Sequence, residues 1–192
     1  MYNKGGVIMK IDALRAGVAP GGLVNTTEIK VLICYILKSV KEPVPATKLC
    51  DLLFYEGIAN AFEVSDSIES LLKNKNIVCV DEKEQTYTTT ESGNNVADTL
   101  KATVPLSIRE KACKSTLKMM AEIRNAKETD ISIVRNGDNT YITCSALDNG
   151  NPIMSVQLLV SDESQAISIK NKFLESPSEI YSKIIDLFTN NN

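Results

Sequence analysis

The spacing of the apolar residues changes near residue 77, and this change limits the folds that the chain can adopt. Before it, apolar residues recur every three or four positions, which predicts helices at about 27–40, 46–56 and 61–74. After it, residues 77–80 and 86–89 are short stretches rich in β-branched residues, on either side of a polar turn. The sequence therefore predicts three helices followed by a β-hairpin.

Three helices and a hairpin in this order are the elements of a winged helix, a variant of the helix-turn-helix. A further helix at about 91–102, capped by Thr90, closes the predicted winged-helix domain, which spans residues 26–103. Residues 1–25 contain two Gly-Gly pairs and a proline, which predict a loosely structured N-terminal arm. A short element at 8–14 is compatible with this segment.

Residues 104–192 predict a long linking helix and a C-terminal α+β domain with a three-stranded antiparallel sheet and two helices. An amphipathic helix follows Pro105, and two Asn-Gly turns then separate three stretches typical of strands. The predicted elements are the linking helix at 106–126, strands at 130–135, 140–147 and 153–160, and helices at 163–175 and from 177 on. The predicted fold class of the whole chain is α+β, with the winged helix-turn-helix at its N-terminal end.

The composition excludes several classes of function. The chain has no histidine, which removes histidine-based nucleophile systems, histidine-ligated metals and histidine pH switches. Its five cysteines are scattered singly in apolar segments, which favours buried thiols over disulfides or a zinc site. No phosphate-binding glycine motif, membrane span or signal peptide is visible. We therefore expect a cytoplasmic protein that is not an enzyme and that binds no cofactor, metal or membrane.

Several stretches resemble known bacterial proteins. Residues 87–93, YTTTESG, resemble the Y-x-x-T-x-x-G signature that closes the wing in PadR-like and MarR-like winged-helix regulators. The chain from about 21 to 188 resembles a bacterial family described as a domain of unknown function, with a winged helix followed by a small α+β domain. The matching stretches are GGLVNTTEIKVLICYIL (21–37), FEVSDSIESLLKNKNI (62–77), VPLSIREKA (104–112) and SDESQAISIKNKFLESPSEIYSKII (161–185). The resemblance implies a winged-helix transcription regulator.

The predicted winged helix is acidic, although a DNA-binding domain is usually basic. Residues 27–92 contain seven lysines, no arginine and eleven acidic residues, a net charge of −4. The outward face of the helix at 61–74 would repel phosphate, because it carries three acids and one lysine. The alternative to a regulator with weak or atypical DNA binding is therefore a winged-helix module that binds a protein. The candidates for DNA contact are Ser65, Ser67, Ser70, Lys73, Lys75, Lys83 and Thr86, and those for partner contact are Phe62, Glu63, Asp66 and Glu69.

The linking helix has a basic side and an apolar side. Residues 101–130 carry seven bases and four acids, a net charge of +3, with Lys111, Lys114 and Lys118 on one face. This face is solvated, or binds a phosphate or a partner, or pairs with the acidic winged helix of the same or a second subunit. The apolar side predicts a homodimer, because winged-helix regulators of the PadR-like kind commonly pair through added helices. Double-stranded DNA and a protein are the other candidate partners.

Overall fold

The computed structural model describes residues 17–189, so the short element considered at 8–14 lies outside the described residues. Residues 17–189 form seven α-helices, a short 3-10 helix and two three-stranded antiparallel sheets, which confirms the α+β class. The chain divides into two compact units, one ending at Lys118 and the other beginning at Met119. This division falls inside a long helix, whereas the sequence placed a domain boundary near residue 104.

The first unit contains the predicted helices and hairpin in the predicted order, with one short strand added. Each helix ends within a few residues of its predicted end, because the caps and breakers lie where the sequence shows them. The elements are α1 (Thr26–Val40), β1 (Val44–Pro45), α2 (Ala46–Tyr55), α3 (Ala61–Lys73), β2 (Ile77–Asp81), β3 (Thr86–Thr89), α4 (Glu91–Leu100), the 3-10 helix Lys101–Thr103, and α5 (Leu106–Lys127), which continues into the second unit.

Helix α1 is the centre of the core in the first unit. Eight of its 15 residues are buried, and they lie on every side of the helix. It packs against α3, α4 and β3, which cover its apolar surface. The Asn25 side chain caps its first turn by accepting a hydrogen bond of 2.8 Å from the backbone N–H of Thr27. Lys41 ends the helix in the left-handed conformation.

Strand β1 is a feature that the sequence did not predict. The prolines at 43 and 45 predicted only the end of a helix, yet Val44 pairs with Tyr87 and Pro45 pairs with Thr86 of β3. The strand order is β1-β3-β2, so β1 is an edge strand, where a proline is tolerated. The sheet therefore connects the loop after α1 with the hairpin.

The end of α3 and the start of α4 are held together by a network around Asn76 and Thr90. The backbone N–H of Thr90 donates to the Asn76 carbonyl over 3.0 Å, and Asn76 Nδ2 donates to Ser92 Oγ over 3.0 Å. Thr90 Oγ1 accepts from the N–H of Gly93 and lies 2.8 Å from the Lys75 carbonyl. A Cβ on Gly93 would collide with the Asn76 carbonyl and with Thr89 Oγ1. Thr90 and Gly93 are the threonine and glycine of the Y-x-x-T-x-x-G signature that residues 87–93 resemble, and both have structural roles at this junction.

Residues 19–23 are bound to the turn between α2 and α3. The N–H of Ala19 donates to the Gly57 carbonyl over 2.8 Å, and the N–H of Leu23 donates to the Ile58 carbonyl over 2.7 Å. Leu23 is buried, and Gly22 packs so closely on this turn that a Cβ would meet the carbonyl of Gly57. The prediction of a loosely structured arm is therefore wrong for these residues.

The second unit is built on the three-stranded sheet β4-β5-β6 and two helices that follow it. Its elements beyond the end of α5 are β4 (Thr129–Asn136), β5 (Asn139–Asp148), β6 (Asn151–Val160), α6 (Glu163–Glu175) and α7 (Pro177–Thr189). All three strands are longer than predicted by one or two residues at their ends, because the Asn-Gly turns are tight. Asp162 caps α6 by accepting a hydrogen bond of 2.7 Å from the backbone N–H of Gln165.

One face of the second sheet carries the core of its unit. Ile142, Cys144 and Ala146 of β5 alternate on this face, as a strand covered on one side requires. Ala166 and Phe173 of α6 pack on them. The opposite face carries hydroxyl and amide side chains in its middle, with Ser145 Oγ and Ser155 Oγ 2.8 Å apart.

Candidate interaction surface on helix α3

Two aromatic side chains are displayed on either side of the turn between α2 and α3. Tyr55 is the last residue of α2 and is 83% exposed, and Phe62 is the second residue of α3 and is 82% exposed. Asn60 fixes the start of α3, because its side chain accepts a hydrogen bond of 2.9 Å from the N–H of Phe62. The Phe54 ring contacts the Tyr55 ring edge to face, with centroids 5.7 Å apart. The exposed aromatic surface is therefore placed by a capped helix and a packed neighbour.

A stripe of exposed residues continues from Phe62 along α3. Phe62, Asp66, Glu69 and Lys73 follow one another at intervals of four, three and four residues, so they share one face of the helix. All four are exposed. We call these four residues the α3 stripe. It begins with an aromatic ring, continues with two carboxylates and ends with one lysine.

Glu63 lies beside the stripe and is half-buried. Its Oε2 accepts a hydrogen bond of 3.1 Å from Thr26 Oγ1, at the first turn of α1. This contact ties the start of α3 to the start of α1. Glu63 therefore belongs in part to the packing of the unit, whereas the sequence grouped it with the partner-binding candidates.

The residues considered for DNA contact lie on α3, just after it and in the hairpin, and they differ in exposure. Ser65 is exposed and Ser70 is half-buried on α3, while Thr86 is half-buried in β3. Lys73 and Lys75 are exposed at the end of α3, and Lys83 is exposed in the β2–β3 turn among acidic residues.

Ser67 is wrong as a DNA-contacting candidate. Its exposed fraction is 0%, and its Oγ has no hydrogen-bond partner among residues 17–189. It lies three residues after Val64 and four before Leu71, which puts it on the inward side of α3. The spacing of these apolar residues already contained this signal, and the polarity of serine obscured it. Tyr55 was not predicted as a site residue either. It lies two positions after the buried Leu53 on α2, and on a helix this spacing places the two side chains on opposite sides.

The basic side of α5 is partly engaged inside the first unit. Lys111 Nζ lies 3.0 Å from Glu56 Oε2 and donates to the Glu56 carbonyl over 2.7 Å. Ser115 Oγ donates to Glu56 Oε1 over 3.0 Å. Lys114 and Lys118 are exposed. Lys111 therefore contacts an acidic residue of α2's C-terminal end within the same chain, and pairing with the acidic helical region was one of three interpretations of this face.

The contacts of Glu56 with Lys111 and Ser115 explain why the pKa of its carboxyl group is lowered. Hydrogen bonds from Lys111 and then from Ser115 lower the pKa of the Glu56 carboxyl below its ordinary value, since they favour its charged form. The five cysteines are free thiols as expected, but only Cys34 and Cys144 are buried, and Cys50, Cys79 and Cys113 are half-buried. Burial raises the pKa of Cys34 and of Cys50 to about 11, so these thiols are protonated and unreactive at neutral pH.

Comparison with known proteins assigns the chain to a family. Residues 29–188 match the family model described as Domain of unknown function (DUF4364), and the chain belongs to this family. No curated protein and no solved structure matches the chain. Among the described residues, no group of histidine, cysteine or carboxylate side chains could hold a metal ion. No helix within residues 17–189 combines the length and apolarity that a membrane crossing requires.

Proposed function

We propose that the first unit is a winged-helix domain whose α3 stripe, together with Tyr55, binds a protein segment rich in lysine and arginine. The order α1-β1-α2-α3-β2-β3 supports the winged-helix assignment, because β1 joins the hairpin as a third strand between the first two helices. The contacts of Thr90 and Gly93 support this assignment further. They give the Y-x-x-T-x-x-G signature, which residues 87–93 resemble, a role in closing the hairpin.

The exposure of Tyr55 and Phe62 is the observation that carries the proposal. Two aromatic side chains more than 80% exposed near one turn leave apolar surface in water, and such residues often dominate the affinity of protein interfaces. Asp66 and Glu69 follow Phe62 on the same face. Their charge selects a basic partner and increases its rate of association.

A transcription regulator that contacts DNA is the second candidate. The element order favours it, and so do the exposed side chains of Ser65, Lys73, Lys75 and Lys83. The charge opposes it, because the α3 stripe has two carboxylates and a single lysine, and phosphate contacts provide most of the affinity for duplex DNA. In this case the lysines at the end of α3 and in the hairpin turn would make the contacts. For both candidates we propose a cytoplasmic location.

The proposal can be tested by selecting peptides from a displayed random library against the full chain. We expect the selected peptides to be enriched in lysine and arginine, and to lose at least about tenfold in affinity against the Phe62→Ala or Glu69→Lys variant. Thr99→Ala, a change at an exposed position of α4, is the control and should leave the affinity unchanged. Peptides without basic enrichment, or binding that is insensitive to both α3 variants, would contradict the proposal.

A second assay, with duplex DNA, separates the two candidates. Anisotropy of labelled duplex DNA, measured from low to moderate salt, should show little binding if the α3 stripe serves a protein. A steep fall of log K with log salt would instead favour the regulator, because each phosphate contact releases counterions.

A further inference from the structure

We propose that strand β6 of the second unit pairs antiparallel with β6 of a second copy of this chain, which would join two three-stranded sheets into one sheet of six strands. This inference concerns the second unit and does not depend on the function proposed for the first. It also differs from the homodimer predicted through the linking helix, because it names another surface.

Strand β6 has an unpaired edge. The sheet order is β4-β5-β6, and within residues 17–189 β6 pairs with β5 alone. A register shift near Pro152 disturbs the beginning of β6, but residues 154–160 pair with β5 in continuous register. Along these seven residues, half of the backbone N–H and C=O groups point away from β5. Such a row of unpaired N–H and C=O groups can form hydrogen bonds with the backbone of another strand.

The edge lacks the charges that usually prevent such pairing. No residue from Asn149 to Ser161 is charged, and the nearest charges are Asp148, opposite Asn151 at the start of β6, and Asp162 beyond its end. The other edge strand, β4, carries Asp130 and Arg135. Edge strands of soluble proteins are commonly protected by charged side chains, prolines or bulges. Strand β4 has this protection near both of its ends, whereas β6 has it only around Pro152.

A second copy of β6 fits this edge better than a charged peptide does. Antiparallel pairing about a twofold axis places the strand opposite itself, so any charged residue near the axis would approach its own copy. Because residues 149–161 are uncharged, β6 avoids this repulsion when the axis passes near the middle of 154–160. Apolar side chains are also exposed on both faces at one end, with Leu158 on the core face and Leu159 on the opposite face. A second copy of β6 is apolar on its core face, at Met154, Val156 and Leu158, and would place apolar side chains beside Leu158 there.

The first experiment is sedimentation velocity of the full chain over about 1 to 100 µM, because a strand pair buries less than a standard interface and should dissociate in this range. We expect a reversible dimer, and Leu159→Lys should raise its dissociation constant at least about tenfold. Val134→Lys is the matched control. Val134 and Leu159 flank Tyr141 on the same face at opposite edges of the sheet and are 56% and 61% exposed.

A second measurement identifies the surface directly. Hydrogen exchange at concentrations above and below the dissociation constant should show amide protection in 154–160 that grows with concentration, with no such change in β4. A monomer throughout the range would overturn the proposal. So would a dimer that both lysine variants weaken equally, or one whose β6 exchange is independent of concentration. Protection of β6 that is lost on removing residues 1–16 would also overturn it, because that segment would then be the occupant.

Discussion

Gly93 is required by the space around it and not by its backbone angle. It lies in the first turn of α4, where any residue could adopt the helical conformation. A methyl group there would meet the Asn76 carbonyl, which is held by the N–H of Thr90, and the hydroxyl of Thr89. Because the obstructing atom of Asn76 belongs to the backbone, the conflict can be relieved only by moving α4 away from the end of α3.

Gly93→Ala should therefore destabilise the first unit by about 3 kcal/mol, the upper range for overpacking a close contact. Urea unfolding followed by circular dichroism would measure the change. Asn95→Ala is the control, since Asn95 is exposed two residues further along the same helix and alanine favours helix formation there. Equal stability of the Gly93→Ala variant and the unaltered chain would show that the junction is looser than its geometry indicates.

Glu56 should make the stability of the first unit depend on pH in the acid range. Its folded pKa is lowered from the ordinary value of 4.5, so its contribution is present above that value and is lost as the pH falls through the lowered pKa. Glu56→Gln should cost about 0.5 to 1 kcal/mol at pH 7, a modest value because both partners are partly exposed. The difference should shrink below pH 4.5 in urea titrations. Glu110→Gln, at an exposed position of α5, should behave like the unaltered chain at every pH.

Ser67→Ala tests the correction made on α3. Because Ser67 is buried among apolar residues, removing its hydroxyl should leave stability unchanged or raise it by up to about 1 kcal/mol. Neither peptide binding nor DNA binding should change. A variant that folds with unaltered stability and yet binds a ligand differently would return Ser67 to the surface of the site.

At the level of helices and strands, the sequence was informative wherever a long pattern repeats. Periodic apolar residues predicted α1, α3 and α6 almost to the residue. Strand β1 was not predictable, because two residues contain no period and their pairing with β3 is a tertiary contact. The docking of residues 19–23 on Gly57 and Ile58 was missed for the same reason. Their backbone hydrogen bonds leave no trace in the side-chain pattern.

The candidate site was predicted in part. Spacing and charge identified Phe62, Asp66 and Glu69, and all three are exposed on one face of α3. The contact of Glu56 with Lys111 joins residues 55 positions apart. Charge made pairing of the two surfaces one of three interpretations, but local spacing does not identify the individual pair. Polarity misled the assignment of Ser67, where helical position decides burial. Sequence therefore predicts which residues share a face, and packing decides which faces meet.

Helix α3 provides a test of whether its stripe can approach DNA. The double variant Asp66→Lys with Glu69→Lys should raise the affinity for duplex DNA about tenfold at low salt, because four units of positive charge are added beside Lys73. Asp130→Lys with Asp138→Lys adds the same charge in the second unit and is the control. Salt titrations by anisotropy would measure both. An affinity that is equal in the α3 variant and the control would mean that the stripe does not face DNA.

The reverse change tests the second candidate function. If the protein binds DNA through the end of α3, Lys73→Glu with Lys75→Glu should remove most of the salt-dependent binding, since both lysines are exposed there. Circular dichroism would confirm that the variant is folded. Undiminished binding would show that these two lysines do not contact the phosphates.

Taken as a whole, the chain has two cores of unequal size. The first unit is organised around α1, with eight buried residues in one helix. The buried cluster of the second unit has six residues, and three of them, Cys144, Ala146 and Ala166, are small. Smaller cores provide less free energy against the entropy of the chain. The second unit should therefore open more readily than the first, although α5 runs from one into the other.

Hydrogen exchange on the full chain, at concentrations where it is monomeric, would measure this difference. We expect the amides of α1 to exchange with an opening free energy at least about 2 kcal/mol above that of β5, the central strand of the second sheet. Phe173→Ala removes the largest side chain of the second core and should cost about 3 to 5 kcal/mol. It should speed exchange in β5 and leave α1 unchanged, while Leu32→Ala should do the opposite. If either variant accelerates both units equally, the two cores unfold as one cooperative structure.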